Sequence, residues 1–293
     1  MDAAQLKAYM AERAALIERE LLAWLPAVNE APFELHKAMR YTTLGKGKRL
    51  RPILALAAAE AVGGDPRRAM PAAVAIELIH NYSLIHDDLP CMDDDERRRG
   101  LPTCHIVFGE ADALLAGDAL LTLAFEVLAA SAIKAAPADA PLFARVGAEM
   151  ARAAGSRGMV GGQVLDLETV ERRVGPGGLR AVHARKTGAL FVAAARGGAI
   201  LAGGEAEDLA ALTTYAENFG LAFQTTDDIL DWPSTRAEQR LIGAATFPAL
   251  LGVEGSRELV RQAVTEAKAA LARFADKGET LAMLADLVAA RSS

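Results

Sequence analysis

An all-α architecture is expected of this 293-residue chain on three grounds. Sixty-three residues are alanine, the strongest helix former and a poor strand former. Apolar residues recur at three- and four-residue steps through most of the chain. No run alternates apolar and polar residues between turns, as a half-buried strand would. The hydrophobic fraction of 52% excludes a disordered chain, and a net charge of −6 leaves no basic excess to bind nucleic acid. Cys91 and Cys104 are too few for a disulfide framework and suit a reducing compartment. The first residues carry neither the basic start nor the apolar block of a leader. No apolar run reaches the roughly 18 residues of a spanning helix. A cytoplasmic protein with no membrane span is therefore expected, folded as a single domain over 1–293.

Leu6, Met10, Ala14, Ile17 and Leu21 give a first amphipathic helix, and Pro26 and Pro32 mark the loop after it. A short helix follows over 31–43. Gly45 to Pro52 is a basic, glycine-bearing turn. Residues 53–62 are apolar nearly all round and read as a buried helix, ended by Gly63-Gly64-Asp65-Pro66. A long helix over 70–88 is interrupted by Pro90, and a charged, irregular stretch runs to Cys104. Helices over 111–130 and 141–156 come next, and Gly161-Gly162 marks a kink or a close approach. Residues 171–178 read as a glycine-rich loop. Helices over 179–201, 205–231, 256–275 and 281–291 complete the set, with Ser256 as the N-cap of its helix after Gly255.

Chemistry concentrates in two aspartate clusters, each at the end of an apolar helix. Gln224, Asp227, Asp228 and Asp231 stand at i, i+3, i+4 and i+7, so they share one helix face. Carboxylates so placed repel one another, and a hard divalent cation such as magnesium relieves this while also taking phosphate oxygens. In the other cluster Asp87 and Asp88 end a helix, and Asp93 must return from a bulge beyond Pro90 to face Asp87. Lys48, Arg49 and Arg51 lie beside Gly47, Arg97, Arg98 and Arg99 follow the first aspartates, and Lys186 and Thr187 start a further apolar helix. Arginines set against aspartates in an acidic chain suit a metal-bound polyanion, since arginine grips phosphate bidentately and lysine as a point charge. His80 precedes Asp87 by seven residues on the same face. Neither zinc-site spacing nor a phosphate-loop motif is present.

These residues resemble the trans-polyprenyl diphosphate synthases, above all the bacterial farnesyl diphosphate synthases, over nearly the whole chain. Six matches fall in order: Gly47-Lys48-Arg49-Leu50-Arg51-Pro52, Ser83-Leu84-Ile85-His86-Asp87-Asp88-Leu89-Pro90 through Asp93, Arg98 to His105, Gly161-Gly162-Gln163, His183 to Leu190, and Phe223 to Asp231. The resemblance implies the isoprenoid synthase helical bundle around a central apolar cavity, as a homodimer. It implies that Gly47, Lys48, Arg51, His80 and Arg99 hold isopentenyl diphosphate. Arg98, Lys186, Thr187 and Gln224 would contact the allylic diphosphate. Asp87, Asp88, Asp93, Asp227, Asp228 and Asp231 would hold three magnesium ions. It further implies that Tyr82 and Ser83, just before the first motif, limit product length, an aromatic ring at Tyr82 favouring the C15 farnesyl product over the C10 or C20 alternatives. One segment departs from the family: residues 232–248 are several residues short, with Ala244 where a diphosphate-binding lysine is expected and Arg236 or Arg240 as substitutes. That departure is the support for a weakly active or non-catalytic paralogue.

Overall fold

The structure, a computed structural model, describes residues 2–171, 175–233 and 246–291. Residues 234–245 of the departing segment, with Arg236, Arg240 and Ala244, lie outside the described residues. Helix α1 (Ala3–Trp24) opens with a capping box between Asp2 and Gln5, and α2 is Phe33–Thr43. Helix α3 (Leu50–Ala61) is buried on nearly every face, as its all-round apolar sequence predicts. Helix α4 (Pro66–Asp87) starts at Pro66, where Asp65 caps the Arg67 amide at 2.9 Å. Then come α5 (Cys104–Phe108), α6 (Glu110–Lys134), α7 (Ala140–Ala154), α8 (Met159–Glu171) and α9 (Pro176–His183). The set closes with α10 (Ala189–Leu201), α11 (Ala206–Leu230), α12 (Phe247–Ala270) and α13 (Glu279–Ala290).

Helices α4 and α10 form the centre. Helix α4 packs on α3, α6 and α10, while α10 also meets α7 and α11, and α12 lies along α11. Ala57, Ala58, Ala59, Ala72, Ala73, Ala75, Ala194 and Ala195 are all buried there, so the alanine excess is interior packing as well as helix propensity.

Six readings need correction. Residues Arg97–Arg98 and Leu101–Pro102 pair as a short antiparallel hairpin, too brief to show alternation. The glycine-rich 171–178 segment is helical from Pro176, which suits a first helical position. The expected 179–201 helix is continuous but carries a π-helical turn within it, Ala184–Gly188. Ser256 is no N-cap: the helix begins at Phe247, breaks at Gly252 (φ 74°), and Ser256 is buried with its hydroxyl donating to the Gly252 carbonyl at 2.9 Å. The helix also stops at Ala270 and gives way to a 3₁₀ segment, Leu271–Gly278. Finally, α6 has 25 residues and is, by length and composition, apolar enough to cross a membrane. Its inner face, including Ala113, Ala116, Leu120 and Val127, is buried in the bundle, while Leu114 and Leu115 are exposed.

Candidate active site

The α4 helix ends at Asp87 because Pro90 cannot continue it. The chain loops through Leu89 to Met92 and returns, the Asp93 amide donating to the Asp87 carbonyl at 2.9 Å. The bulge thus sets Asp93 against Asp87, as its spacing requires. Across the cleft, the last two turns of α11 present Asp227 and, at its C-cap, Asp231. A cleft of about 1050 Å³ joins the two walls. Of the site residues expected from the sequence, all except Asp88 and Asp228 line it: Gly47, Lys48, Arg51, His80, Tyr82, Ser83, Asp87, Asp93, Arg98, Arg99, Lys186, Thr187, Gln224, Asp227 and Asp231.

Asp88 and Asp228 are buried behind the lining. Arg98 Nε donates to Asp88 Oδ1 at 2.6 Å, and its Nη2 donates to Asp95 at 3.1 Å. Asp228 accepts from Gln224 Nε2 at 3.1 Å and from the Phe247 amide at 3.2 Å, while Thr187 Oγ1 donates to Gln224 Oε1 at 2.8 Å. This chain ties the π-helical turn before α10 to α11 and α12 beneath the second motif.

The basic wall is built by one arginine that turns inward. Arg49 has a left-handed backbone (φ 49°), is 2% exposed, and pairs with buried Glu77 at 2.8 Å while donating to the Gly45 carbonyl. That anchor leaves its neighbours Lys48 and Arg51 on the cleft wall. A Cβ on Gly47 would stand 2.7 Å from Arg99 Nη1, so the glycine leaves room for Arg99 to reach the Lys46 carbonyl, 2.7 Å away. Arg51 lies over the Phe191 ring at 4.5 Å, and burial lowers its guanidinium to about 10, still charged at neutral pH. Burial, with Arg51 and Arg99 nearby, holds the His80 imidazole well below its ordinary value. It is therefore neutral, and its Nε2 stands 3.4 Å from Arg51 Nη1, where it can accept.

Three features were missed. Lys186 donates to Asp166 at 2.6 Å. The signal was a carboxylate one turn after Gly162-Gln163. A Cβ on Gly162 would come within 2.3 Å of the Lys186 amide, so the glycine marks a close approach of α8 to the π-helical turn. π-Turns often sit at functional sites; this one carries Lys186 and Thr187 to the cleft. Arg291, the C-cap of α13, donates to Asp227 at 2.9 Å and lies 5.5 Å from the Phe223 ring. Only its place after the apolar 281–290 pattern could have drawn attention to it. His86 also lines the cleft, with Nε2 3.0 Å from the Leu114 carbonyl and its ring edge-on to Tyr82.

The electrostatics suit a hard cation held jointly with an anion. Burial pushes the Asp87 carboxyl up to about 6, Lys186 opposing and Asp93 adding to the effect. Burial raises Asp227 against the pull of Arg291, and lifts Asp228 to about 6 against its hydrogen bonds. Such charges are costly until a cation arrives. Among the described residues no three ligand side chains converge into a ready metal site. The residues that would hold a metal are the carboxylates of the two aspartate walls, where a hard cation would also take phosphate oxygens. The buried atoms Gln163 Nε2 and Arg51 Nε, on half-buried residues of the cleft wall, have no hydrogen-bond partner among the described residues.

A helical bundle whose cleft sets two aspartate walls beside a basic wall is the arrangement of an isoprenoid synthase. The family model described as Polyprenyl synthetase matches residues 32–272. The chain belongs to this family, the trans-prenyl diphosphate synthases, and is a prenyltransferase of isoprenoid biosynthesis; the family is magnesium-dependent in general. The farnesyl diphosphate synthase of Bacillus subtilis is 40% identical over 294 residues, covering 98% of both chains. A heterodimeric geranylgeranyl pyrophosphate synthase large subunit of Arabidopsis thaliana is 42% identical, covering 97% of this chain and 79% of its own. The crystal structure of an FPP/GFPP synthase from Zymomonas mobilis superposes with a TM-score of 0.89 at 38% identity, covering 98% of this chain and all of the other.

Proposed function

We propose that the chain condenses isopentenyl diphosphate with dimethylallyl and then geranyl diphosphate, giving the C15 farnesyl product. The observation that carries this reading is Tyr82, buried at 6% exposure yet lining the cleft on α4, five residues before Asp87. Five residues are roughly 7.5 Å of helix axis, so its ring closes the cleft at the depth where a growing chain would pass.

Asp87, Asp93, Asp227 and Asp231 would hold the metal ions, three in number, with Asp88 and Asp228 supporting from behind. Magnesium supplies positive charge to the diphosphate as it leaves. Lys186, Thr187, Gln224 and Arg98 hold the allylic diphosphate by the same logic, their donors aimed at charge that grows as the C–O bond breaks. Lys48, Arg51, His80 and Arg99, on Gly47's turn and opposite it, fix the second diphosphate, with His80 kept neutral by burial and then by its arginine neighbours. The isopentenyl double bond then attacks C1 of the allylic cation. The proton is lost to the departing diphosphate, and no side chain is assigned as base. Met159, Val164, Leu167, Leu190 and Phe223 line the cleft and exclude water from the cation.

We further propose a homodimer. Ile106 and Val107 on α5 and Leu114 and Leu115 on α6 are all at least 40% exposed, an apolar group on adjacent helices that association would cover.

Incubation with magnesium, isopentenyl diphosphate and geranyl diphosphate, followed by chain-length analysis, tests the reading. C15 is expected; C20 would assign the geranylgeranyl activity instead, and no condensation at any magnesium concentration would leave a non-catalytic paralogue. Replacing Tyr82→Ala should lengthen the product. A soluble variant still making only C15 would show that Tyr82 is not the floor.

A further inference from the structure

A second cleft, of about 790 Å³, opens between α7, α9, α10 and α11 and shares no lining residue with the first. Its size is that of a small-molecule site. Its floor explains a feature of the sequence that the reaction does not use. Arg196 is the one charged residue in the apolar stretch 189–202. It makes a bidentate pair with Glu149, both contacts 2.7 Å, and its Nη1 donates to the Thr213 hydroxyl at 3.0 Å. Arg145 approaches the same glutamate at 3.5 Å. The two charges at the floor thus cancel.

The rim is different. Five arginines line the cleft against two glutamates, in a chain whose net charge is −6. Arg152, Arg157 and Arg180 are exposed and have no ion-pair or hydrogen-bond partner among the described residues. Between this rim and the floor, the surface is apolar, with Val192 and Leu221 largest. Unpaired guanidinium forks suit phosphate oxygens. The apolar wall suits a hydrocarbon, and no aromatic ring among the lining residues could stack a base.

We propose that this second cleft binds a small amphipathic anion, an apolar chain bearing a phosphate or diphosphate, independently of the reaction site. Prenyl diphosphates and straight-chain phosphate esters share this chemistry, and two probes separate them. Calorimetric titration of the full chain in EDTA, with geranyl diphosphate and with dodecyl phosphate below micelle formation, should give one site for at least one probe. Its affinity should fall about tenfold or more in the double variant Arg152→Glu/Arg180→Glu. It should change by less than about twofold in Lys48→Glu/Arg99→Glu, which alters the first cleft. Inorganic diphosphate should bind about tenfold more weakly than the better amphiphile. Tighter binding of geranyl diphosphate identifies the prenyl series and tighter binding of dodecyl phosphate the straight-chain esters, and either upholds the site. Three results would overturn it: no binding of either probe up to about 1 mM, an affinity untouched by Arg152→Glu/Arg180→Glu, or a loss confined to Lys48→Glu/Arg99→Glu. Equal binding of inorganic diphosphate would likewise overturn it, by reducing the cleft to a basic patch.

Discussion

Asp87 carries its charge at a cost. Its carboxyl is raised from 3.8 to about 6 by burial. A group whose folded pKa lies above its unfolded value binds more protons in the folded state. Metal-free protein should therefore gain stability as pH falls through about 6 toward about 4, and lose it as pH rises again. Asp87→Asn removes the penalty. In EDTA at pH 8 the variant should be more stable than the parent by roughly 1–3 kcal/mol, seen as a melting point a few degrees higher, with the gap closing by about pH 4. The same variant should lose most condensation activity and bind magnesium-diphosphate more weakly. A variant no more stable than the parent at pH 8 would mean that Lys186 or a bound water already relieves the charge. Asp227, Asp228 and Asp231 were legible because, counted from Gln224, they fall at helical steps of three, four and seven, and Asp87, Asp88 and Asp93 because they cluster around Pro90 at the end of an apolar helix. Their division into cleft and support was not. Whether a carboxylate faces the cleft or Arg98 depends on neighbours ten residues away, which no spacing reveals.

Two elements place the cations. The turn before α3 rests on the buried Arg49–Glu77 pair. Breaking such a pair from one side leaves an uncompensated buried charge, so Glu77→Ala should destabilise by about 3–5 kcal/mol in chemical denaturation. It should also raise the KM for isopentenyl diphosphate, since Lys48 and Arg51 flank Arg49. On the other side, α8 touches the π-turn through Gly162. Gly162→Ala should cost about 1–3 kcal/mol from overpacking. It should also lower kcat by more than that loss of stability explains, because Lys186 would be displaced by the new methyl. An unchanged kcat would separate the α8 contact from catalysis. The glycine pair was visible in the sequence as a mark of kinking or close packing. The π-turn was not, because its extra residue leaves the apolar pattern on either side intact.

For the molecule as a whole, two acidic walls left facing each other set an expectation for ligand removal. A magnesium and diphosphate pair that binds only the folded chain at about 100 times its dissociation constant adds about 2.7 kcal/mol. The melting temperature should rise by several degrees with both present, by much less with either alone, and fall back on adding EDTA. A full rise with magnesium alone would show that the aspartate walls close on a cation without a bridging anion.

Alanine content and a 3.6-residue period were enough to determine a helical chain, its long helices and the two carboxylate clusters, because these are local properties that each segment carries by itself. Depth, partnership and distance were settled by packing. Arg49 became an anchor and its neighbours Lys48 and Arg51 stayed on the wall, Arg291 came to Asp227 from the far end of the chain, and five scattered arginines gathered around a second cleft. The reason is that a side chain's electrostatic role depends on which charges lie within a few ångströms. That is decided by contacts between helices, such as 64 residues of separation between Asp227 and Arg291 closed to 2.9 Å, and not by the order of residues within one helix.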